Sequence, residues 1–327
     1  MNAERLPWVS QDPASLRLSD LAQKVAPTAT TLLIIGESGT GKDHLARLIH
    51  EVGPRRDAPY LKIDCASLPP HLVESELFGH ERGSFTGAVE RKLGRLEMGG
   101  SGTIVLDEVA ALSPEAQGKM LRVLQERSFE RLGGTETLHI TARIIALTNV
   151  DLPAAVKNGT FREDLYFRLN VLTLAVPPLR DRRADILPLA EYLLDTIRLV
   201  HGRRATTFSD ATRRMLLAYP WPGNIRELRN ALERAVVFSK APVAAPDARL
   251  AGDAASLLEP ADFPEYIRGA AGGAGISGAG LLSLEEIEKQ AIAATLEATH
   301  YQITRSSEIL GISRKTLLEK RKKYGLK

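Results

Sequence analysis

An uninterrupted apolar run, Thr31-Leu32-Leu33-Ile34-Ile35, leads straight into Gly36-Glu37-Ser38-Gly39-Thr40-Gly41-Lys42-Asp43, and a helical pattern, HLARLIHEV, starts at once. Strand, glycine loop and helix in that order are the setting a phosphate-binding loop requires. Glycines let backbone N–H groups close around phosphate oxygens, the helix N-terminus adds positive potential, and Lys42 can reach the β and γ oxygens. The bland alternative is a glycine turn that happens to precede a lysine. The general motif places Ser or Thr after the lysine to ligand magnesium, and here Asp43 stands instead, so metal coordination must lean on another residue.

That residue is expected downstream. Thr103-Ile104-Val105-Leu106 reads as a buried strand ending in Asp107-Glu108, and an acidic pair at a strand's C-terminal end suits a metal ligand beside a group that polarises water. Arg143-Ile144-Ile145-Ala146-Leu147 is a third such run and ends in Thr148-Asn149. Polar residues at that end of a parallel strand face the ligand crevice, so Asn149 is either a water or γ-phosphate sensor or a turn residue.

Residues 1–180 alternate apolar runs with helical patterns, which predicts an α/β unit with a mostly parallel sheet. Residues 181–240 turn all-helical, broken at Pro220 and Pro222. Of the 40 positions from 241 to 280, 19 are Ala or Gly and four are Pro, so 241–282 is expected to be a linker that buries too little apolar area to offset its ordering entropy. An amphipathic helix then restarts after Ser283, a plausible N-cap, and residues 283–327 form a last unit.

Bulk properties exclude several classes. With 327 residues, 44% of them hydrophobic and 25% charged, the chain has room for two or three cores and an ordinary globular composition. The single cysteine, Cys65, excludes an internal disulfide and reads as a small buried hydrophobe. No apolar run approaches the roughly 20 residues needed to span a bilayer, and no signal-peptide pattern opens the chain, which leaves the cytoplasm as the default. The formal net charge is only +3, but seven Lys or Arg and one acid lie between Arg314 and Lys327. Such a tail is either a solvated helix face or a nucleic-acid contact.

Between the phosphate loop and Asp107 lies HERGSFTGAVERK, a glycine-flanked apolar loop (Gly83, Ser84, Phe85, Thr86, Gly87, Ala88) suited to neither nucleotide nor metal. In order, VAPTATTLLIIGESGTGKD, ELFGHERGSFTGA, GRLEMGGSGTIVLDEV, FREDLYFRLNVLTLAVPPLRDRRADI and YPWPGNIRELRN resemble the blocks of the bacterial enhancer-binding proteins, the AAA+ activators of sigma-54 RNA polymerase. The resemblance runs almost continuously over residues 15–240. It implies an AAA+ P-loop ATPase with a parallel sheet and an α-helical lid, followed by a small all-α helix-turn-helix domain, using ATP and Mg2+.

By that resemblance GSFTGA corresponds to the loop that contacts sigma-54, with Phe85 and Thr86 at its tip and Ser84 in place of the usual Ala. Arg162 and Arg168 correspond to arginine fingers that reach a neighbouring subunit's γ-phosphate, which implies a ring, usually a hexamer. Arg226 corresponds to the lid's sensor arginine. Asp64 stands where the family usually has an Asn that restrains the catalytic Glu; an ionised acid cannot donate as Asn does, which leaves the timing of hydrolysis open and makes a mixed ring with a paralogue conceivable.

ITRSSEILGISRKTLLEKRKKYGLK reads as helix, turn at Gly311 and basic helix with Ser313 as N-cap. It resembles the Fis-like reader of the same family, although TRSSEIL departs from the usual Lys-Ala-Ala start. Arg314, Lys315 and Thr316 would face base edges, and Lys320, Arg321, Lys322 and Lys323 phosphates. The expected partners are sigma-54 holoenzyme, double-stranded enhancer DNA and further copies of the chain. The ATPase pattern starts so early that control is expected from a separate regulatory protein, or from a regulatory half missing here. Two other readings stay open: a DNA-binding regulator whose ATPase is only an oligomerisation switch, and a remodeller of a non-transcriptional client.

Overall fold

Strands that are apolar on both faces must be covered by helices on both sides, and three strands of that kind, flanked by two less buried edge strands, build the central sheet of the computed structural model. They are β1 (Leu32–Ile35), β2 (Tyr60–Asp64), β3 (Thr103–Asp107), β4 (Arg143–Thr148) and β5 (Leu172–Ala175), all parallel, in the order β2-β3-β4-β1-β5. Alternate residues enter opposite cores, as a two-residue period dictates: Leu33, Ile104 and Ile144 pack on one face, Leu32, Val105 and Ile145 on the other. The strand order reverses around β1, which opens a ligand crevice at the C-terminal edge. The structure describes residues 8–85, 87–201, 206–239, 256–271, 292, 295–296, 299, 301–309 and 314–324; Thr86, Ser283, Gly311, Ser313 and the side chains of Lys315 and Lys323 lie outside them.

The helix Pro13–Val25 starts where Asp12 accepts the Ala14 N–H and Pro13 fits the first turn. Its other end is satisfied from β4. Arg143 is buried and donates to the carbonyls of Val25 and Ala26, each at 2.9 Å. A cation at a helix C-terminus offsets the dipole there, while burial pushes its pKa down to about 10.

Two insertions interrupt the sheet. Between β2 and β3 come the helix Pro70–Phe78 and a short antiparallel pair, Gly79–His80 with Lys92–Leu93. Between β3 and β4 a hairpin pairs Ser128–Glu130 with Thr137–His139.

After β5, helices Ile186–Val200, Asp210–Ala218 and Asn224–Phe238 gather around the fully buried Trp221. Residues 256–271, expected from composition to be linker, belong to this core. Ser256–Leu258 pairs in parallel with Thr206–Phe208, and Leu258, Phe263 and Ile267 are each at most 2% exposed. Averaging Ala and Gly over the segment concealed three apolar side chains with a surface to cover. The chain accordingly divides into two compact units, Met1–Ala271 and Gly272–Lys327. In the second, helices Ile303–Ile309 and Arg314–Lys323 are described, with Ile292, Leu296 and Leu317 buried together.

Truncating Phe263 to Ala should remove about 3–5 kcal/mol from the helical core, the usual cost of emptying a buried aromatic site. Urea unfolding followed by Trp221 fluorescence in the full chain checks this. An unchanged midpoint would mean that residues 256–271 contribute nothing to that core.

Candidate functional site

The phosphate loop joins β1 to the helix Lys42–Val52, whose N-cap is Gly41 at φ 101°, a conformation that costs a side-chain-bearing residue dearly. Lys42 is buried, and its ammonium donates to the carbonyls of Gly36 (2.8 Å) and Glu37 (3.2 Å). Burial lowers its pKa, and the charges of Glu108 and Asp107 work the other way. A cavity of about 370 Å³ runs from this loop across the sheet edge, lined among others by Lys42, Asp43, Asp107, Glu108 and Arg226. Glu108 sits at φ 52°, a strained value for a residue with a side chain. Its carboxylate accepts the Asn149 backbone N–H at 3.3 Å, so the ends of β3 and β4 position it together.

Lys42, Asp43, Asp107, Glu108 and Arg226, each singled out from the sequence, line one cavity, together with Lys62, which the sequence did not single out. From the middle of β2 this ammonium contacts Asp43 at 3.0 Å and Asp107 at 2.8 Å. A charged residue inside a strand was the available signal. The two carboxylates are hard oxygen donors of the kind magnesium takes together with substrate phosphates, so the donor set fits that ion. Asp64 accepts from the N–H groups of Ala66 and Ser67, capping its own turn rather than confronting Glu108.

The phosphate loop is also tied to the helical unit, through contacts no spacing in the sequence announced. Glu37 pairs with both ends of the Arg180 guanidinium (2.6 and 2.9 Å) and accepts from the buried Asn224 at 3.2 Å. Arg226 donates to the Ser38 hydroxyl at 2.6 Å, Ile225 N–H to the Gly39 carbonyl at 3.0 Å, and the buried Arg182 to the Thr40 carbonyl. A Cβ on Gly39 would lie 2.5 Å from the Gly223 carbonyl oxygen, so the close approach requires glycine. Trp8 stacks on His44 at 5.8 Å, both on the cavity wall.

Arg162 and Arg168 do not line their own chain's pocket. Both are exposed about the helix Glu163–Leu169, and Arg162 is clasped by Asp164 at 2.7 and 3.0 Å.

The glycine-flanked loop is held at its base. Gly83 N–H donates to the Ala88 carbonyl at 2.8 Å, and Glu81 N–H to the Leu132 carbonyl of the second insertion at 3.0 Å. Phe85 is half-buried with its ring edge-on to His80, centroids 5.0 Å apart, and His80 shares a 2.8 Å hydrogen bond with Ser75. Ser84 packs against Gly133. Arg131, almost fully buried, answers three carboxylates: Glu97, Glu81 and Glu136, at 2.7–3.0 Å. Thr86 itself lies outside the described residues.

In the C-terminal unit, Ser306 and Ser307 are buried where the resembled family usually has alanines. Their hydroxyls donate to the carbonyls of Gln302 (3.0 Å) and Thr304 (2.8 Å), so both polar atoms are satisfied within the helix. The following helix, RKTLLEKRKK, buries Leu317 while Arg314 and Lys322 are exposed; Thr316, Lys320 and Arg321 are half-buried.

A P-loop at the edge of a five-stranded parallel sheet, an acidic strand end and a helical unit reaching back onto the loop define an AAA+ ATPase with its lid. Residues 8–175 match the sigma-54 interaction domain, 180–249 the AAA+ ATPase lid domain and 283–324 the bacterial regulatory protein, Fis family. The transcriptional regulatory protein FlbD of Caulobacter vibrioides is 42% identical over 97% of this chain and 70% of its own length. The Nif-specific regulatory protein of Azotobacter vinelandii is 50% identical over 71% of this chain, which spans only 44% of that protein. A crystal structure of NtrX from Brucella abortus in complex with ATP aligns with TM-score 0.72 at 34% identity, over 97% of this chain and 69% of that one. The chain belongs to the sigma-54-dependent enhancer-binding regulators, AAA+ ATPases that carry a Fis-type reader. Among the described residues no helix is long and apolar enough to cross a membrane.

The Glu37 clasp yields a pH-dependent expectation. Hydrogen bonds from Arg180 and then Asn224 lower its pKa from 4.5 to about 2. A depressed carboxylate contributes stability above its unfolded pKa and loses it as pH falls toward the folded one. At pH 7 wild type should therefore outlast Glu37→Gln in urea, by less than about 1 kcal/mol because the pair is exposed. The gap should narrow below about pH 4.5. A gap that persists unchanged to pH 3 would show that the charge is not what ties loop to lid.

Proposed function

We propose that this chain binds upstream double-stranded DNA, assembles into a homo-oligomeric ring, and hydrolyses ATP to open promoter complexes of sigma-54 RNA polymerase. It would do so in the cytoplasm, where DNA and polymerase reside. The ring is hexameric by family resemblance; a paralogous subunit or a separate regulatory protein would act on the same assembly. Residues 1–180 form the ATPase core, 181–240 with 256–271 the lid, and 283–327 the DNA reader.

One observation carries the reading: Lys42, Asp107, Glu108 and Arg226 line a single cavity, whereas Arg162 and Arg168 are exposed and do not line it. In this reading the charge that spreads over a transferring phosphoryl group is met by Lys42 and Arg226 of the same chain and by arginines from an adjoining copy. In this scheme Lys42 and the loop N–H groups of residues 36–43 hold the phosphates. Glu108, held by Asn149, polarises the attacking water, and Asn149 also faces the γ-phosphate. Arg226 reports phosphate occupancy to the lid. Asp164 must release Arg162 before that finger can cross to a neighbour. Magnesium, carried by Asp107 with Asp43, would neutralise phosphate charge when bound.

Turnover has to reach the loop at 83–88. Its base is joined through Glu81 to Arg131 and Glu97, elements inserted on either side of β3, the strand that ends in Asp107 and Glu108. Gly83 and Gly87, both at positive φ in open space, allow the tip to swing, carrying Phe85 off His80 and presenting it with Thr86 to sigma-54. In the reader, Arg314, Lys315 and Thr316 would meet base edges from the major groove, and Lys320, Arg321, Lys322 and Lys323 the phosphates.

Open-complex formation on a sigma-54 promoter tests the scheme. Wild type with ATP should melt the promoter; Thr86→Ala should hydrolyse ATP without melting; Glu108→Gln should lose at least about 100-fold in turnover, the typical weight of a general base. Equal mixtures of Arg162→Ala and Glu108→Gln, each inactive alone, should regain up to about a quarter of wild-type turnover. Random pairing places an intact finger beside an intact site at that frequency in a ring. No recovery on mixing would place Arg162 in its own chain's site.

A further inference from the structure

Lys62 stands between the two carboxylates best suited to a divalent cation. Its ammonium is 2.8 Å from Asp107 Oδ2 and 3.0 Å from Asp43 Oδ1, while Asp107 Oδ1 is engaged by the Glu108 N–H at 3.1 Å. Asp43 lies on the first turn of the helix after the phosphate loop and Asp107 at the end of β3. Two anions on separate elements are therefore drawn to one cation rather than left to repel each other, with Glu108 adjoining them.

The same geometry makes the ammonium a competitor. Magnesium takes carboxylate oxygens at about 2.0–2.1 Å in near-octahedral order, and Asp107 Oδ2 is held by Lys62. An ammonium and a divalent cation cannot share that oxygen without strong like-charge repulsion. The Lys62 side chain is 35% exposed, and four methylenes let its head move into water while the stem stays on the strand.

We propose that Lys62 is a positioning residue and internal counter-ion of the metal site: it holds Asp43 and Asp107 in place, yields to a divalent ion, and thereby sets the metal concentration at which nucleotide is firmly held. This rests on the reading of Asp107 as a metal-binding residue. It also gives Asp43 a purpose where the general motif has Ser or Thr, since an acid there can share the ammonium and a hydroxyl could not do so as strongly.

The test is binding of Mn2+ to the full-length protein with ADP, followed by electron paramagnetic resonance, in wild type, Lys62→Met, Lys62→Arg and Asp107→Asn. Lys62→Met should bind Mn2+ about fivefold more tightly, the scale of one partly exposed charge pair, and Lys62→Arg should stay near wild type. Thermal unfolding adds a readout free of nucleotide chemistry: in EDTA Lys62→Met should melt below wild type, and Mn2+ should raise its Tm more than that of wild type. If Lys62→Met proves unstable, Lys62→Gln must show the same tightening. Unchanged or weaker Mn2+ binding in both neutral variants, with binding lost in Asp107→Asn, would overturn the proposal and leave the metal reading intact. Full binding in Asp107→Asn would overturn both.

Discussion

Parallel pairing of β3, β4 and β1 brings three strand ends to one edge, and nearly everything chemical in the first unit hangs from that edge. β1 delivers the phosphate loop, β3 Asp107 and Glu108, and β4 Thr148 and Asn149. Parallel strands are regular enough to hold such groups in fixed relation, and their C-terminal ends face a helix N-terminus whose positive potential favours anions. The Glu108 carboxylate on the Asn149 N–H is a direct product of two adjacent strands ending in step. Were β3 to slip by one residue, Asp107 would turn into the core and no pocket would remain.

The helical lid is not a separate body resting on this edge. Glu37, Ser38, Gly39 and Thr40 each exchange a contact with Arg180, Asn224, Ile225, Arg226 or Arg182, so residues of the phosphate-loop motif also hold the lid. Movement of the loop on nucleotide exchange is therefore felt by a core built around Trp221 and closed by Phe263 and Ile267. The coupling is made of short polar contacts from Arg180, Asn224, Arg226 and Arg182.

A comparable economy governs the two insertions. Arg131 is nearly inaccessible yet surrounded by Glu97, Glu81 and Glu136, so its burial is tolerable only while those carboxylates stay in place. The network fixes where the 83–88 loop begins and leaves its tip on glycines with open space around them. A fixed base and a glycine-flanked tip suit the lever proposed for this loop.

Local order was legible in the sequence because it is written in local chemistry. Apolar runs showed β1, β3 and β4; glycines and Lys42 showed the phosphate loop; Asp107 and Glu108 followed from their strand; and the family blocks carried Arg226 and the 83–88 loop. What stayed hidden depends on side chains far apart in the chain. Lys62 meets Asp43 and Asp107 only because β2 lies beside β3, Glu37 finds Arg180 across 143 residues, and Asp64 turns to its own backbone instead of to Glu108. Residues 256–271 looked like linker because composition measures how much apolar material is present, not whether a hollow awaits it. The sequence by itself determined the strands, the loop chemistry and the order of the units. Only tertiary structure decided which charges share a counter-ion and which segment closes the lid, because both depend on distances that chain connectivity does not set.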